Sequence, residues 1–281
     1  MCMLLSTSDH PDYALILISN RDEIFERKSF RMQQHDELQN RDLLMGIDQV
    51  GKGTWLCVDK ENKSFSVVMN VQSKPESSEK ECSRGLLPLK IIDYIDKKEQ
   101  VPKSYQQFEK YYNDLDNTRF FKLIYGKYND SAVDYQLLSL ADDNIPIHKD
   151  LAKLGDIVTS NEYDSESKDF TDIPWTKLDI GRELIKQLKN VREEDELIRK
   201  CFEISQNNTF DSTEECLDFQ QSKKKVRSSI FIPPHDVLIN NNKYKYGTRT
   251  TTLILIRKNG TIKVVERERV CDDAGDSVYV I

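Results

Sequence analysis

The sequence contains no run approaching the roughly 20 consecutive apolar residues that a membrane-crossing helix requires. It also lacks any CxxC pair: its six cysteines, at 2, 57, 82, 201, 216 and 271, are scattered. That scatter excludes a zinc ribbon and points to reduced thiols rather than a disulfide framework. Only four histidines occur, at 10, 35, 148 and 235, without HExxH or any paired spacing, so no metal site is expected. A basic surplus is missing too. The net charge of −7 argues against nucleic acid as a partner, because that binding rests on neutralised phosphates. No Pro/Gly/Ser-rich linker divides the 281 residues, so one domain spanning 1–281 is expected. The first residues carry no charged leader region, and Asp9, His10, Pro11 and Asp12 interrupt any cleavable apolar segment. A cytoplasmic protein without a transmembrane segment is the expectation.

What is present is patterned apolar sequence. Tyr13 to Ile18 and Thr252 to Ile256 are nearly continuous apolar runs, as in strands covered on both faces. Thr54 to Val58 and Phe65 to Asn70 form a strand pair around the polar turn Asp59 to Lys63. Arg119 to Tyr125 and Ala132 to Leu140 read as a hairpin linked through Gly126 to Ser131. Thr261 to Val270 alternates apolar and charged residues after the Asn259-Gly260 turn, as near a sheet edge. Helical spacing dominates the middle. Leu87, Ile91, Ile92 and Ile95 follow one face, with Pro88 in the first turn. Tyr105, Phe108, Tyr111, Tyr112 and Leu115 suggest a second helix, Trp175 to Lys189 a third and Glu193 to Ile204 a fourth. The stretch 206–226 is polar and reads as a flexible loop insertion, with Lys223 to Arg227 as a solvated run or a docking patch for an anionic surface. Strands at both ends with helices between them suit an α+β fold, a four-layer α-β-β-α sandwich of antiparallel sheets. Periodicity alone leaves other α+β arrangements open.

The chemistry-bearing residue is Cys2. Removal of Met1 would leave one residue carrying both a thiol nucleophile and a free α-amine able to act as its base. The first apolar run ends in Asn20-Arg21-Asp22-Glu23, a charged group that can orient that terminus. Arg21 beside Cys2 is expected to lower the thiol pKa, and Asp22 to hold the α-ammonium.

Met1-Cys2, Asn20-Arg21-Asp22-Glu23, Gly53-Thr54-Trp55-Leu56, Ser83-Arg84-Gly85, Ser160-Asn161, Pro174-Trp175 and Tyr246-Gly247-Thr248-Arg249-Thr250 occur in that order. The ordered set resembles the NRDE family, also called the transport and Golgi organisation protein 2 family, over nearly the whole chain. The sequence departs from the family pattern at Lys52-Gly53, where a glycine pair is usual, at Cys57, and at Met69 before Asn70. The family is similar in layout to the cysteine N-terminal-nucleophile hydrolases, such as choloylglycine hydrolases and penicillin V acylases. That likeness implies a site of Cys2, Arg21, Asp22, Asn70, Asn161 and Arg249. Asn70 or Asn161 would donate to an oxyanion, and Arg249 would bind a ligand carboxylate or phosphate or buttress the site. The resemblance also implies a role in Golgi organisation and protein secretion. It extends to haem mobilisation and acyl-coenzyme A or lipid homeostasis, with peripheral contact at Golgi or mitochondrial membranes. Three functions follow: a supporting factor of that kind, a working amidohydrolase or thioesterase with no required cofactor, and a carrier of haem or acyl-coenzyme A without turnover. No CxxCH motif supports covalent haem.

Each of these residues also has a plainer reading. Arg21, Asp22 and Glu23 suit a structural ion-pair network at a strand end. Buried Asn70 and Asn161 suit the satisfaction of loose backbone groups. Arg249 suits a cross-strand pair with Glu266 or Glu268. Gly53 and Gly247 suit turns or bulges, and Trp55 and Trp175 suit core anchors.

Overall fold

The computed structural model describes residues 2–35, 42–71, 82–141, 144–162, 174–209, 217–269 and 275–281. Two β-sheets stack face to face. The second sheet is a meander in chain order: β3 (Ser29–His35), β4 (Leu43–Asp48), β5 (Leu56–Asp59), β6 (Ser64–Asn70), β7 (Phe121–Asn129), β8 (Ala132–Leu140) and β9 (Ile147–Asp150). The first sheet is built from chain ends. It contains β1 (Met3–Thr7), β2 (Tyr13–Ile24), β10 (Asp156–Thr159), β11 (Leu217–Asp218), β12 (His235–Ile239), β13 (Asn242–Arg257), β14 (Ile262–Glu268) and β15 (Ser277–Val280). Its path runs β10-β1-β2-β13-β12-β11, and the second half of β13 pairs instead with β14, which pairs with β15. Every ladder between these strands is antiparallel except β11 with β12.

Alternation sorts the side chains into layers. Leu4, Leu15, Leu17, Ile254 and Ile256 of the first sheet meet Leu44, Val58, Val67, Ile124 and Leu137 of the second in the inter-sheet core. The opposite face of the second sheet, with Leu123, Tyr125 and Leu138, is covered by α1 (Leu87–Lys98) and α2 (Tyr105–Glu109) through Ile91, Ile95 and Phe108. The opposite face of the first, with Met3, Leu5, Ile16 and Leu253, is covered by α3 (Thr176–Ile185) and α4 (Glu194–Ser205). Because β1, β2 and β13 are covered on both faces, their sequences are apolar runs rather than alternations. Among the described residues no helix is long and apolar enough to cross a membrane.

Several expectations need correction. The aromatic run after Tyr105 is helical only to Glu109; its later residues turn back, so Tyr111 and Tyr112 reach the core from a turn. The hairpin turn is Asp130-Ser131, both at positive φ, and Gly126 lies within β7. The stretch 206–226 is not all loop: α5 (Phe219–Ser228) occupies its end, and residues 210–216 lie outside the described residues. A helical period splits the basic run. Lys224 faces solvent, while Arg227 is fully buried with its guanidinium 4.4 Å from the Trp175 ring centre. Composition suggested solvent because one apolar residue, Val226, is enough to dock this short helix on Ile232.

The start of α4 carries a testable ion cluster. Glu194 accepts hydrogen bonds from Tyr13 at 3.0 Å, from Arg257 Nη2 at 2.7 Å and from Lys263. Burial works to raise its pKa, but these donors prevail and hold it at about 2. A depressed folded pKa stabilises the fold above the unfolded value of about 4.3 and loses that contribution as pH falls through the folded one. Glu194→Gln is therefore expected to cost about 1–2 kcal/mol at pH 7, a figure discounted for partial exposure. In denaturant titrations, the two stabilities should converge as pH drops from about 4.5 towards 2.

Candidate active site

Strand pairing brings Cys2 to Arg21. β1 runs antiparallel to β2 with Met3 opposite Asn20, so one further step of the ladder opposes Cys2 to Arg21 on the inter-sheet face. Asn20 points the other way and is fully buried. Its amide donates to the carbonyls of Ser205 (2.9 Å) and Ile230 (3.1 Å), and its Oδ1 accepts from Thr251. The first residue of the Asn-Arg-Asp-Glu group is thus a joist, and the second is the one aimed at the cysteine.

Arg21 is held on two sides. Its guanidinium lies 4.2 Å from the Trp55 ring centre, and Nη2 is 3.5 Å from Asp48 Oδ2. The same oxygen takes Arg27 Nε at 2.6 Å. Asp48 Oδ1 accepts from the backbone N–H groups of Val50 and Gly51, both at 2.9 Å, which folds the β4–β5 loop around it. Burial opposes ionisation, but the Gly51 N–H and Arg27 prevail and hold the Asp48 carboxyl below its ordinary range. Arg21 Nη1 is buried with no hydrogen-bond partner among the described residues. Gly53 is needed for close approach. A Cβ there would lie 2.5 Å from the Gly85 carbonyl carbon, so the β4–β5 loop and the Ser83-Arg84-Gly85 turn touch backbone to backbone.

Asp22 lies on the opposite side of β2. Thr248 donates to its Oδ1 at 2.7 Å. Burial raises the Asp22 pKa, against the pull of the Lys177 ammonium. Lys177 itself is fully buried, and its Nζ has no hydrogen-bond partner among the described residues. Burial pulls its pKa down, while Asp22, Glu162 and Cys2 favour its charged form. The β2–β13 register slips between Thr248 and Thr250, leaving Arg249 in a bulge. A bulge re-aims the side chain it carries. Arg249 accordingly donates to the Arg27 carbonyl, and its Nε has no partner among the described residues.

A second chain of contacts fixes the cysteine from behind. Lys122 Nζ, fully buried, bonds Glu162 Oε1 at 2.6 Å and Thr159 Oγ1 at 2.9 Å. Glu162 Oε2 accepts the Ser160 N–H at 2.6 Å, and the Ser160 hydroxyl donates to the Cys2 carbonyl at 2.5 Å. Next in sequence, Asn161 donates its amide to the Asn70 carbonyl at 2.5 Å, and its buried Oδ1 has no partner among the described residues.

These elements enclose a cleft of about 360 Å³. Its walls include Cys2, Arg21, Asp22, Trp55, Asn70, Arg84 and Arg119. Of the six residues expected from the sequence, Cys2, Arg21, Asp22 and Asn70 line it. Asn161 stands behind Asn70. Arg249 is outside the lining and braces the Arg27 backbone; neither Glu266 nor Glu268 is its ion-pair partner, Glu268 instead facing Arg31 at 3.3 Å. The expectation of a lowered thiol pKa is corrected. Burial pushes the Cys2 thiol up, and the Asp22 backbone N–H and Arg21 only partly offset it. Sequence reasoning missed Asp48, Lys122, Glu162 and Lys177. Glu162 follows directly on Ser160-Asn161, and Lys177 sits two residues after Trp175, so proximity to those motifs was their only signal.

The family model described as Transport and Golgi organisation 2 matches residues 1–270. A protein of Saccharomyces cerevisiae, "Uncharacterized protein YGR127W", is 29% identical over 305 aligned positions, covering 99% of this chain and 94% of that protein. The "Transport and Golgi organization 2 homolog" of Mus musculus is 24% identical over 281 positions, covering 93% of this chain and 88% of the mouse protein.

Proposed function

The chain belongs to the Transport and Golgi organisation 2 family, and we propose that it acts there as a cytoplasmic N-terminal cysteine acyl hydrolase on linear amides or thioesters. The layered sheets agree with an N-terminal-nucleophile arrangement. The observation that carries the reading is the opening of Cys2 into a cleft beside Arg21, Asp22 and Asn70, with its carbonyl pinned by Ser160.

In this reading, removal of Met1 frees the α-amine of Cys2. The amine, with a pKa of about 7.7–8, takes the proton of a thiol whose ordinary pKa is about 8.5. The sulfur attacks the acyl carbonyl, forming a carbon–sulfur bond, and the carbonyl oxygen becomes an oxyanion that Asn70 stabilises. The intermediate collapses, breaking the bond to the leaving amine or thiol, which departs with the proton from the α-ammonium. Water then attacks the thioester, giving its proton to the α-amine, and Cys2 is released with a carboxylic acid product. Asp22 and the Arg21 guanidinium hold the amine and the sulfur in register throughout.

Intact-mass measurement tests this. The native protein is expected to lack Met1 and, on brief exposure to short acyl thioesters, to gain one acyl group mapped to Cys2. A retained Met1, or labelling elsewhere, would overturn it. A second reading draws on the raised Cys2 pKa: a neutral thiol suits a cleft that retains haem or an acyl-coenzyme A without cleaving it. That reading requires saturable binding with no adduct. Either activity would serve the role that the mouse relative's name expresses, in transport and Golgi organisation, with transient contact at organelle membranes.

A further inference from the structure

Trp175, from the Pro174-Trp175 motif, immediately precedes α3 and presents its ring to two fully buried cations. Lys177 Nζ lies 5.5 Å from the ring centre and the Arg227 guanidinium 4.4 Å. The helix that carries Lys177 is pressed onto the strands that lead from Cys2 and towards Glu162. A Cβ on Gly181 would lie 2.8 Å from Val158 Cγ1 of β10, and 3.0 Å and 3.1 Å from Leu5 Cδ2 and Met3 Cε of β1. Lys177 stands one turn before Gly181 and shares its inward face, outside the cleft lining. Burial works against its ammonium and the charge of Arg227 adds to that, while Asp22 first, then Glu162 and Cys2, favour the charged form. Such an interaction is mutual. Burial raises the Asp22 carboxyl and the charge of Glu23 pushes the same way; the Lys177 ammonium and the Thr248 hydroxyl oppose them. The two anions do not depend on Lys177 equally. Glu162 has a direct bond from Lys122 at 2.6 Å. Lys177 Nζ makes no hydrogen bond among the described residues, so what it lends the fold is charge rather than a bond. An apolar side chain of similar shape would fill its place at no loss of packing.

Resting on the reading of Cys2 as an N-terminal nucleophile, we propose that Lys177 is a positioning residue of the site: its buried ammonium keeps Asp22 a carboxylate, and that carboxylate holds the α-ammonium of Cys2. The charge is read directly by carbon-13 NMR of labelled aspartate side chains, with the Asp22 signal assigned by its absence from Asp22→Asn. In Lys177→Met the Asp22 carboxyl is expected to titrate at a pH higher by about 1 or more. The sign follows from removing a cation that favours the carboxylate. The acid limb of Cys2 acylation by short thioesters should move in the same direction. Lys186→Met, which breaks an exposed pair with Glu183 on the following turn, should move neither. An Asp22 titration unchanged in folded Lys177→Met overturns the proposal, as does a moved titration with an unmoved acylation limb. Should Lys177→Met fail to fold, Lys177→Met with Asp22→Asn decides. A folded double variant supports the pairing, because no buried charge is left uncompensated. A double variant that also fails to fold makes Lys177 a structural residue and overturns it. Acylation of the parent together with an unmoved Asp22 titration would sink the role of Lys177 alone. A moved titration with no acylation of the parent would sink the hydrolase reading and leave the charge pairing standing.

Discussion

Cys2→Ala is expected to abolish acyl turnover, by roughly 10³-fold or more, and to leave the fold almost untouched. The loss is large because no other thiol among the described residues can substitute. Cys57 and Cys201 are fully buried in core layers, and Cys82 does not line the cleft. The structural cost is small for a different reason. Cys2 precedes β1, is only partly buried, and touches the inter-sheet core from its margin. Removing one sulfur from such a position costs within about 1 kcal/mol, or about 3 °C in the thermal midpoint. Thioester hydrolysis and thermal unfolding, measured on the same preparation, separate the two effects. Parental turnover in the alanine variant would dismiss nucleophilic catalysis outright.

Lys122→Met is expected to be the most damaging single change to stability near the site, at about 3–5 kcal/mol. It would leave Glu162, only 17% exposed, as a carboxylate without its cation. Burial works to raise the Glu162 pKa, and Lys122 reverses this, holding the carboxyl below its ordinary range. A depressed folded pKa means that the pair stabilises above the unfolded value of about 4.3 and weakens as pH falls below it. Urea titrations should therefore show the largest gap between parent and variant near neutral pH and a smaller one under acid. Adding Glu162→Gln should restore most of the loss, since replacing both partners leaves no uncompensated charge. Equal stabilities of Lys122→Met and the parent at pH 7 would refute this account of the pair. The variant should also slow acylation, because Glu162 positions Ser160 and Ser160 positions the Cys2 carbonyl.

The outline of the fold was legible where burial leaves a mark on composition. Tyr13 to Ile18 and Thr252 to Ile256 read as covered strands because both of their faces meet apolar neighbours. The apolar stripe of α1 read clearly because only one of its faces does. β1 escaped notice. Five residues are too few for a period, and its central place in the sheet comes from pairing with β2 on one side and β10 on the other. The helix Phe219–Ser228 was lost for the opposite reason, since its docking face is too narrow to tint so polar a stretch.

By itself the amino-acid sequence determined that both faces of the central strands are covered, that charged residues follow the second strand, and that the ordered motifs fit one family. Cys2, Arg21 and Asp22 were nominated by residue type and position alone. Only the tertiary structure decided what each charge faces. It left Arg249 out of the cleft lining, in a one-residue bulge, and set Asn161 behind Asn70. It also paired Lys122 with Glu162, and brought Arg84 and Arg119 into the lining of the Cys2 cleft. Hydrophobic burial is written in local periodicity, whereas the partner of a charge is chosen by strand register and by loops meeting from distant parts of the chain, to which no local pattern responds.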